Sequence, residues 1–435
     1  MRWEFQKIVL VLAGITLCQV YAQEPGKDDF SLVTTDRLED AGWWPTKGEP
    51  ARNLFVGNEK CKECHQTIAA AQETTPMFHA GVRAGESDVL RKHEQLSYQD
   101  DSFQYSLSHK PEGETFSVTG GESVPGSETR DGAAAMWAFG TGQFGQTYIL
   151  EKDGAYIESR LSYYTNLNAL DVTAGQSARI PEGVEKALGN RLDDATARRC
   201  FSCHTTAPVT SGVFEAEKAT PGIQCEACHG PGVRHVAAMQ AQRYEQGTAA
   251  ILNPAHLSPV DSVDFCGACH RTWADVALMM PADMGNSSVR FQPYRLEESR
   301  CWGKNGDARI TCIACHNPHQ PLVTELSTYD GKCLACHSAK PDPERRVMAK
   351  TTCKVGTSKC VSCHMPKYEA RQTHAQFTDH YIRVVRTVRQ SSWVPYGSAP
   401  FSEMQAFAGL SEPAGCARSR RSIWPGARRI GPRCR

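Results

Sequence analysis

Cys200-Phe-Ser-Cys203-His204, Cys225-Glu-Ala-Cys228-His229 and Cys266-Gly-Ala-Cys269-His270 are three of seven copies of one pattern, Cys-x-x-Cys-His. The others are Cys61-Lys-Glu-Cys64-His65, Cys312-Ile-Ala-Cys315-His316, Cys333-Leu-Ala-Cys336-His337 and Cys360-Val-Ser-Cys363-His364. Chance placement of 19 Cys and 15 His over 435 residues gives about 0.03 copies. The pattern is the c-type haem attachment signature. Two thiols a short step apart each form a thioether to one haem, and the adjacent histidine points at the iron as proximal ligand. Paired Cys-x-x-Cys can also build a structural zinc site, but zinc does not explain a histidine after every pair. A disulfide framework fails differently, because cysteines within one turn seldom reach disulfide geometry.

Six motifs crowd between Cys200 and His364, and one stands apart at Cys61. That density leaves little room for an ordinary side-chain core, so the flat macrocycles are expected to serve as much of it. The 200–364 segment is then expected not to fold without haem, since cofactor binding and folding are coupled in such sites. Between the first motif and the six, the chain changes character. Ser102-Phe-Gln-Tyr-Ser-Leu-Ser108, Glu114-Thr-Phe-Ser-Val-Thr119, Gln146-Thr-Tyr-Ile-Leu150 and Ala155-Tyr-Ile-Glu-Ser-Arg-Leu-Ser-Tyr163 alternate with period two and are joined by Gly-rich turns, the mark of antiparallel strands. Their aromatics read as sheet core more readily than as a substrate surface. Helical signals are short: Asp193–Arg199 leading into the second motif, Val233–Glu245, and Thr272–Met280.

The expected fold class is a multihaem cytochrome c of α+β type with little regular secondary structure. Short α-helices and irregular loops wrap stacked haems, with a small antiparallel β module inserted. The expected division is a signal peptide over 1–22, a first haem segment over 50–99, a β-rich insert over 100–170, a six-haem domain over 195–385 and a C-terminal extension over 386–435. Arg2 and Lys7 precede an apolar run from Ile8 to Val20 and a Val20-Tyr21-Ala22 cleavage site, as in a secretory signal. No later run of about 18 apolar residues follows. A periplasmic or extracellular protein is therefore expected, not membrane-associated once the signal is cleaved. The formal charge is zero, with seven arginines and no acid after Glu412, so the body is acidic, more so with haem propionates. Nothing resembles a nucleic-acid surface. Residues 416–435 read as disordered, as a basic arm, or as the product of a shifted reading frame.

What fills the sixth position of each iron separates a carrier from an enzyme: a second histidine closes it, and water or nothing leaves it open to substrate. Eight histidines lie outside the motifs. His79, His235, His319, His374 and His380 are the preferred distal ligands. His319, three residues beyond His316, is expected to serve a neighbouring haem. His256 and His93 are weaker candidates, and His109 reads as surface. Met365 is too close to its own attachment site. Cys301 and Cys353 belong to no motif and are a disulfide candidate for an oxidising compartment; Cys416 and Cys434 lie in the tail.

Phe55-Val-Gly-Asn-Glu-Lys-Cys-Lys-Glu-Cys-His65 with Met77-Phe-His-Ala80 resembles the first haem segment of multihaem c-type cytochromes, the wider group of the nitrifier tetrahaem cytochrome and hydroxylamine oxidoreductase. A closer likeness is to exported proteins of the cytochrome c-552/4-like family. It runs through Trp137-Ala-Phe-Gly-Thr-Gly142, Arg199-Cys-Phe-Ser-Cys-His-Thr-Thr206, Cys225-Glu-Ala-Cys-His-Gly-Pro-Gly232, Cys360-Val-Ser-Cys-His-Met-Pro366 and Thr373-His-Ala-Gln-Phe-Thr-Asp-His380. The likeness covers about residues 50–405. It implies closely packed haems with mostly bis-histidine ligation. Many such relatives continue into tetratricopeptide repeats, which this chain does not. It also lacks the Cys-x-x-Cys-Lys site of pentahaem nitrite reductases, and no motif marks Tyr163 or Tyr164 as the cross-linked tyrosine of hydroxylamine oxidoreductase. The expected function is an exported heptahaem electron carrier. Its redox partners would be other cytochromes or quinol-linked complexes. The alternatives are an oxidoreductase with one open haem, acting on a small nitrogen or sulfur compound of the hydroxylamine or nitrite type, and a subunit of a haem filament.

Overall fold

The structure is a computed structural model that describes residues 50–120, 130–279, 285–299, 301–302, 310–337, 358–370 and 372–385, with positions 353 and 356. The expected signal peptide and the extension over 386–435 lie outside the described residues.

The period-two stretches fold into one antiparallel sheet of nine strands. They are β1 (Gly81–Arg83), β2 (Gln95–Gln99), β3 (Phe103–Lys110), β4 (Gly113–Gly120), β5 (Arg130–Phe139), β6 (Gly145–Lys152), β7 (Ala155–Tyr164), β8 (Ala169–Val172) and β9 (Gly189–Arg191). Strands β2 to β8 lie side by side in sequence order. β1 pairs with β5, and β9 with β7. β5 is long enough to serve two neighbours on one edge: Arg130–Ala134 pair with β4, and Trp137–Phe139 pair with β1. The β6–β7 turn is Asp153-Gly154, both residues at positive φ (51° and 73°), as a two-residue hairpin of the Asp-Gly kind requires.

The sheet is larger than the small 100–170 module expected, reaching from Gly81 to Arg191. A three-residue strand such as Gly-Val-Arg carries too short a pattern to read; its partner on β5 makes it a strand. The aromatics are core, as the alternation implied. Phe103, Tyr105 and Leu107 of β3 face the same side as Phe116 and Val118 of β4, all buried, with Tyr105 opposite Val118 and Leu107 opposite Phe116. Period-two geometry gives each strand two faces. Ala138, Tyr148 and Leu150 join this cluster under the short helix Val184–Leu188. Their neighbours Trp137, Phe139 and Ile149 point the other way and pack on Phe201. The second face is therefore where the sheet grips the second motif.

Beyond the sheet the chain is short helices and loops. In a helical turn, residues i, i+3 and i+4 share a face, so each motif turn aims its two cysteines and its histidine in one direction. The first motif lies in Asn58–Gln72, which departs from helical angles at His65 (φ −107°, ψ 39°). The second ends Asp194–His204, capped by Asp193 accepting from the Thr196 amide at 2.7 Å. The fourth ends Pro259–His270, capped by Ser258. The third, fifth and seventh are single turns, at Cys225–His229, Cys312–Cys315 and Cys360–His364. The Val233–Glu245 helix splits into Val233–Gln240 and Tyr244–Ala249, with Gln242 at φ 57° between them. The buried apolar cluster among the later motifs is small: Val263, Leu296 and Trp302. No helix among the described residues is long and apolar enough to cross a membrane.

Candidate haem-binding framework

The motif histidines are aimed by backbone carbonyls. His204 Nδ1 donates to the Ala80 carbonyl at 2.8 Å, His229 Nδ1 to Leu252 at 2.8 Å and His364 Nδ1 to Arg383 at 2.9 Å. A carbonyl only accepts, so Nδ1 holds the proton and Nε2 keeps its lone pair for a metal. Such a partner also fixes the plane of the ring. The sheet builds the first of these carbonyls. Ala80 precedes β1 and also accepts from the Gly140 amide at 2.7 Å. A side chain on the next residue, Gly81, would stand 2.5 Å from the His204 carbonyl, so only glycine lets β1 approach the motif this closely. Phe139 of β5 lies parallel to the His204 ring, with centroids 4.6 Å apart and planes 7° apart. Burial lowers the pKa of His204, His270 and His316, which keeps them neutral, the form that binds metal.

Three motif histidines face a second histidine. Ring centroids are 6.3 Å apart for His65 and His235, 5.9 Å for His229 and His319, and 6.2 Å for His316 and His380. A metal between two imidazole nitrogens at about 2 Å each, with each ring centre about 1 Å beyond its nitrogen, spaces the centroids by about 6 Å. The outer rings are aimed as the motif rings are. His235 Nδ1 donates to the Gly247 carbonyl at 2.8 Å, and His380 Nδ1 to Thr378 at 3.0 Å. Burial pushes His380 down to about 4 and also lowers His319. His319 thus stands opposite His229, not beside its sequence neighbour His316. The donor set, two thiols and an imidazole per turn, with a second imidazole opposite at three of the turns, fits haem c.

The other candidates sit differently. His79 is exposed, and its Nε2 donates to the Glu73 carbonyl at 2.8 Å, so the free lone pair is on Nδ1. His93 donates from Nδ1 to Val89 at 2.8 Å and lies 5.5 Å from the Tyr163 ring. His374 has φ 50°. Its Nε2 is 2.8 Å from Asp171 Oδ2 and its ring packs edge-on to Tyr164. His256 is exposed at the end of Pro254–His256. Among the described residues none of these four rings lies opposite a motif histidine. His109, read as surface, is half-buried with Nδ1 2.9 Å from Glu114. Cys301 is half-buried and burial raises its thiol.

Side chains inside the motifs tie one motif to the next. Glu226, between Cys225 and Cys228, accepts from the Val56, Gly57 and Gly232 amides at 2.8 Å each. It therefore caps the first motif helix from within the third. Asp330, which opens the sixth motif helix Asp330–Leu334, accepts from the Lys359 and Cys360 amides at 2.7 and 2.8 Å, capping the seventh. Arg199 beside the second motif pairs with buried Asp275 beyond the fourth at 3.1 Å. Thiols of different motifs also meet: Cys61 with Cys225, Cys203 with Cys269, Cys266 with Cys312, and Cys333 with Cys360. The Cys225 contact, with burial, drives the Cys61 thiol up. None of these joints was legible in the sequence beforehand. The one available signal was a carboxylate inside or just before a motif turn.

A family model described as cytochrome c554 and c-prime matches residues 172–230, which hold the second and third motifs. The multiheme cytochrome MtrA of Shewanella baltica (strain OS185) is 24% identical over 202 residues, covering 38% of this chain and 61% of that protein. The match thus spans less than two thirds of the relative's length. Among solved structures, the outer cell wall cytochrome OcwA aligns with a TM-score of 0.41 and 14% identity over 76% of this chain and 80% of that one.

Proposed function

We propose that this chain, a multihaem c-type cytochrome, holds seven covalently attached haems and passes electrons along them as an exported carrier. Haem supplies the one-electron chemistry. The chain supplies attachment, axial ligands and the hydrogen bonds that set each potential. In this reading the fourteen motif cysteines form the thioethers. His65, His204, His229, His270, His316, His337 and His364 are the proximal ligands. His235, His319 and His380 would supply the second imidazole to the haems attached beside His65, His229 and His316. The observation that carries it is the spacing of these three pairs, at 5.9–6.3 Å. Thiol contacts between motifs from distant parts of the chain support close packing of the macrocycles. Redox proteins that dock at an exposed haem edge would be the partners.

A second reading, an oxidoreductase acting on a small nitrogen or sulfur compound at one open iron, has one observation in its favour. No histidine ring lies opposite His204 among the described residues; the ring beside it is Phe139. Intact mass and a carbon monoxide difference spectrum of the reduced protein decide between them. Seven haem additions with no carbon monoxide bound is the outcome for a closed carrier. About one equivalent bound transfers the case to the enzyme, and fewer than seven haems overturns the count.

A further inference from the structure

One five-residue segment, Asp379–Arg383, touches two motifs. His380 faces His316 of the fifth motif, and the Arg383 carbonyl accepts from His364 Nδ1 of the seventh. The segment is held at Asp379, which has no exposed surface. Oδ1 accepts from Arg295 Nε at 2.8 Å and the Tyr381 amide at 3.0 Å. Oδ2 accepts from Arg295 Nη2 at 2.7 Å and Arg383 Nη1 at 2.6 Å. The Asp379 amide donates to the Pro366 carbonyl at 3.0 Å, two residues past His364. A carboxylate without water needs this many donors. The forked pairing with Arg295 fixes direction as well as distance. Arg383 is fixed at both ends, its guanidinium on Asp379 and its carbonyl on His364. Ser299 adds a lighter tie: its hydroxyl donates to the His380 carbonyl at 3.0 Å and accepts from the Ile382 amide at 2.8 Å.

We infer that Asp379 is a positioning residue for two irons at once, aiming His380 at the iron on His316 and the Arg383 carbonyl at the ring of His364. The inference rests on the ligand assignments proposed above. Neutralising the carboxylate strands two guanidinium groups and loosens both ends of the segment, so the effect belongs to two haems and not to one or to all.

The test compares haem-loaded wild type, Asp379→Asn, Ser299→Ala and His380→Ala by potentiometric titration with electron paramagnetic resonance of the oxidised irons. Wild type first establishes seven haems with paired-histidine signals; failure there sinks the carrier reading before any variant is compared. With it in place, Asp379→Asn should shift two of the seven components and leave five unmoved. Ser299→Ala should move the same two by less, and His380→Ala should convert one of them to a carbon monoxide-binding iron. A shift confined to one component, spread over all seven or absent overturns the inference. If Asp379→Asn does not mature, Ser299→Ala decides: two components move, one of them the iron that His380→Ala opens to carbon monoxide, or the inference falls.

Discussion

Phe201 sits inside the second motif, between the two cysteines that would be thioether-bonded, yet its side chain belongs to the sheet. It is fully buried and meets four rings. Trp137 and Phe139 are edge-on at 5.3 and 5.0 Å, Phe214 is at 5.2 Å and Tyr156 at 5.8 Å. Truncating a buried phenylalanine costs about 3–5 kcal/mol. Edge-on aromatic pairs add about 0.5–1.5 kcal/mol each beyond burial, so Phe201→Ala should fall in the upper half, near 4–5 kcal/mol. Against a total stability of about 5–15 kcal/mol for a domain, that is enough to detach the motif helix from the sheet. Phe201→Leu keeps most of the volume and should cost about 1–2 kcal/mol. Urea unfolding of the haem-loaded proteins, followed by near-ultraviolet circular dichroism, measures both. Covalent haem stays attached in both states, so the comparison reads packing. A cost below about 1 kcal/mol for Phe201→Ala would refute the claim that the sheet clamps this motif through that ring.

Three other expectations follow from the same geometry. His235→Ala, His319→Ala and His380→Ala should each add one carbon monoxide equivalent to the reduced protein, and His256→Ala none; a gain at His256 equal to the others would break the pairing scheme. The Cys360 and Lys359 amides hold the Asp330 carboxyl below its ordinary value of 3.8, so its stabilising effect is complete above that value and is lost as pH falls through the lower folded value. Asp330→Asn should therefore flatten the acid limb of the unfolding curve below about pH 4, whereas an unchanged limb would place acid sensitivity elsewhere. Gly222 has φ 69°, and a Cβ there would lie 1.7 Å from the Phe78 carbonyl. Gly222→Ala should cost well over about 1 kcal/mol by thermal melt, and a neutral result would mean that the Phe78–Gly222 contact gives way freely.

What could be read in advance follows from what each feature demands of neighbouring residues. Thioether attachment needs two cysteines and a histidine within one turn, so all seven motifs stand out in the sequence. Strands β3, β4, β6 and β7 alternate over eight or more residues and were equally plain. β1 and β9 have three residues each and exist because longer strands pair with them. The carbonyls of Ala80, Leu252 and Arg383 left no signature, because every residue has a carbonyl. The pairing of His229 with His319 crosses 90 positions, and no local pattern encodes it. Asp379 was visible only as the neighbour of His380 in Phe377-Thr-Asp-His380; of its two arginines, Arg383 lies four residues on and Arg295 comes from 84 residues earlier.

The carbonyls that aim the motif rings also lie on different sides of their motifs along the chain. His204 finds its acceptor 124 residues earlier, at Ala80, whereas His229 and His364 find theirs 23 and 19 residues later. In a chain that emerges N-terminus first, the second motif meets a finished partner on arrival. The third and seventh wait with freely turning imidazoles until the chain beyond them appears. Haem reaching those two early would meet a ring not yet fixed in plane or tautomer. On the proposed ligation, the pace of emergence would then bear on how faithfully each iron acquires its ligands.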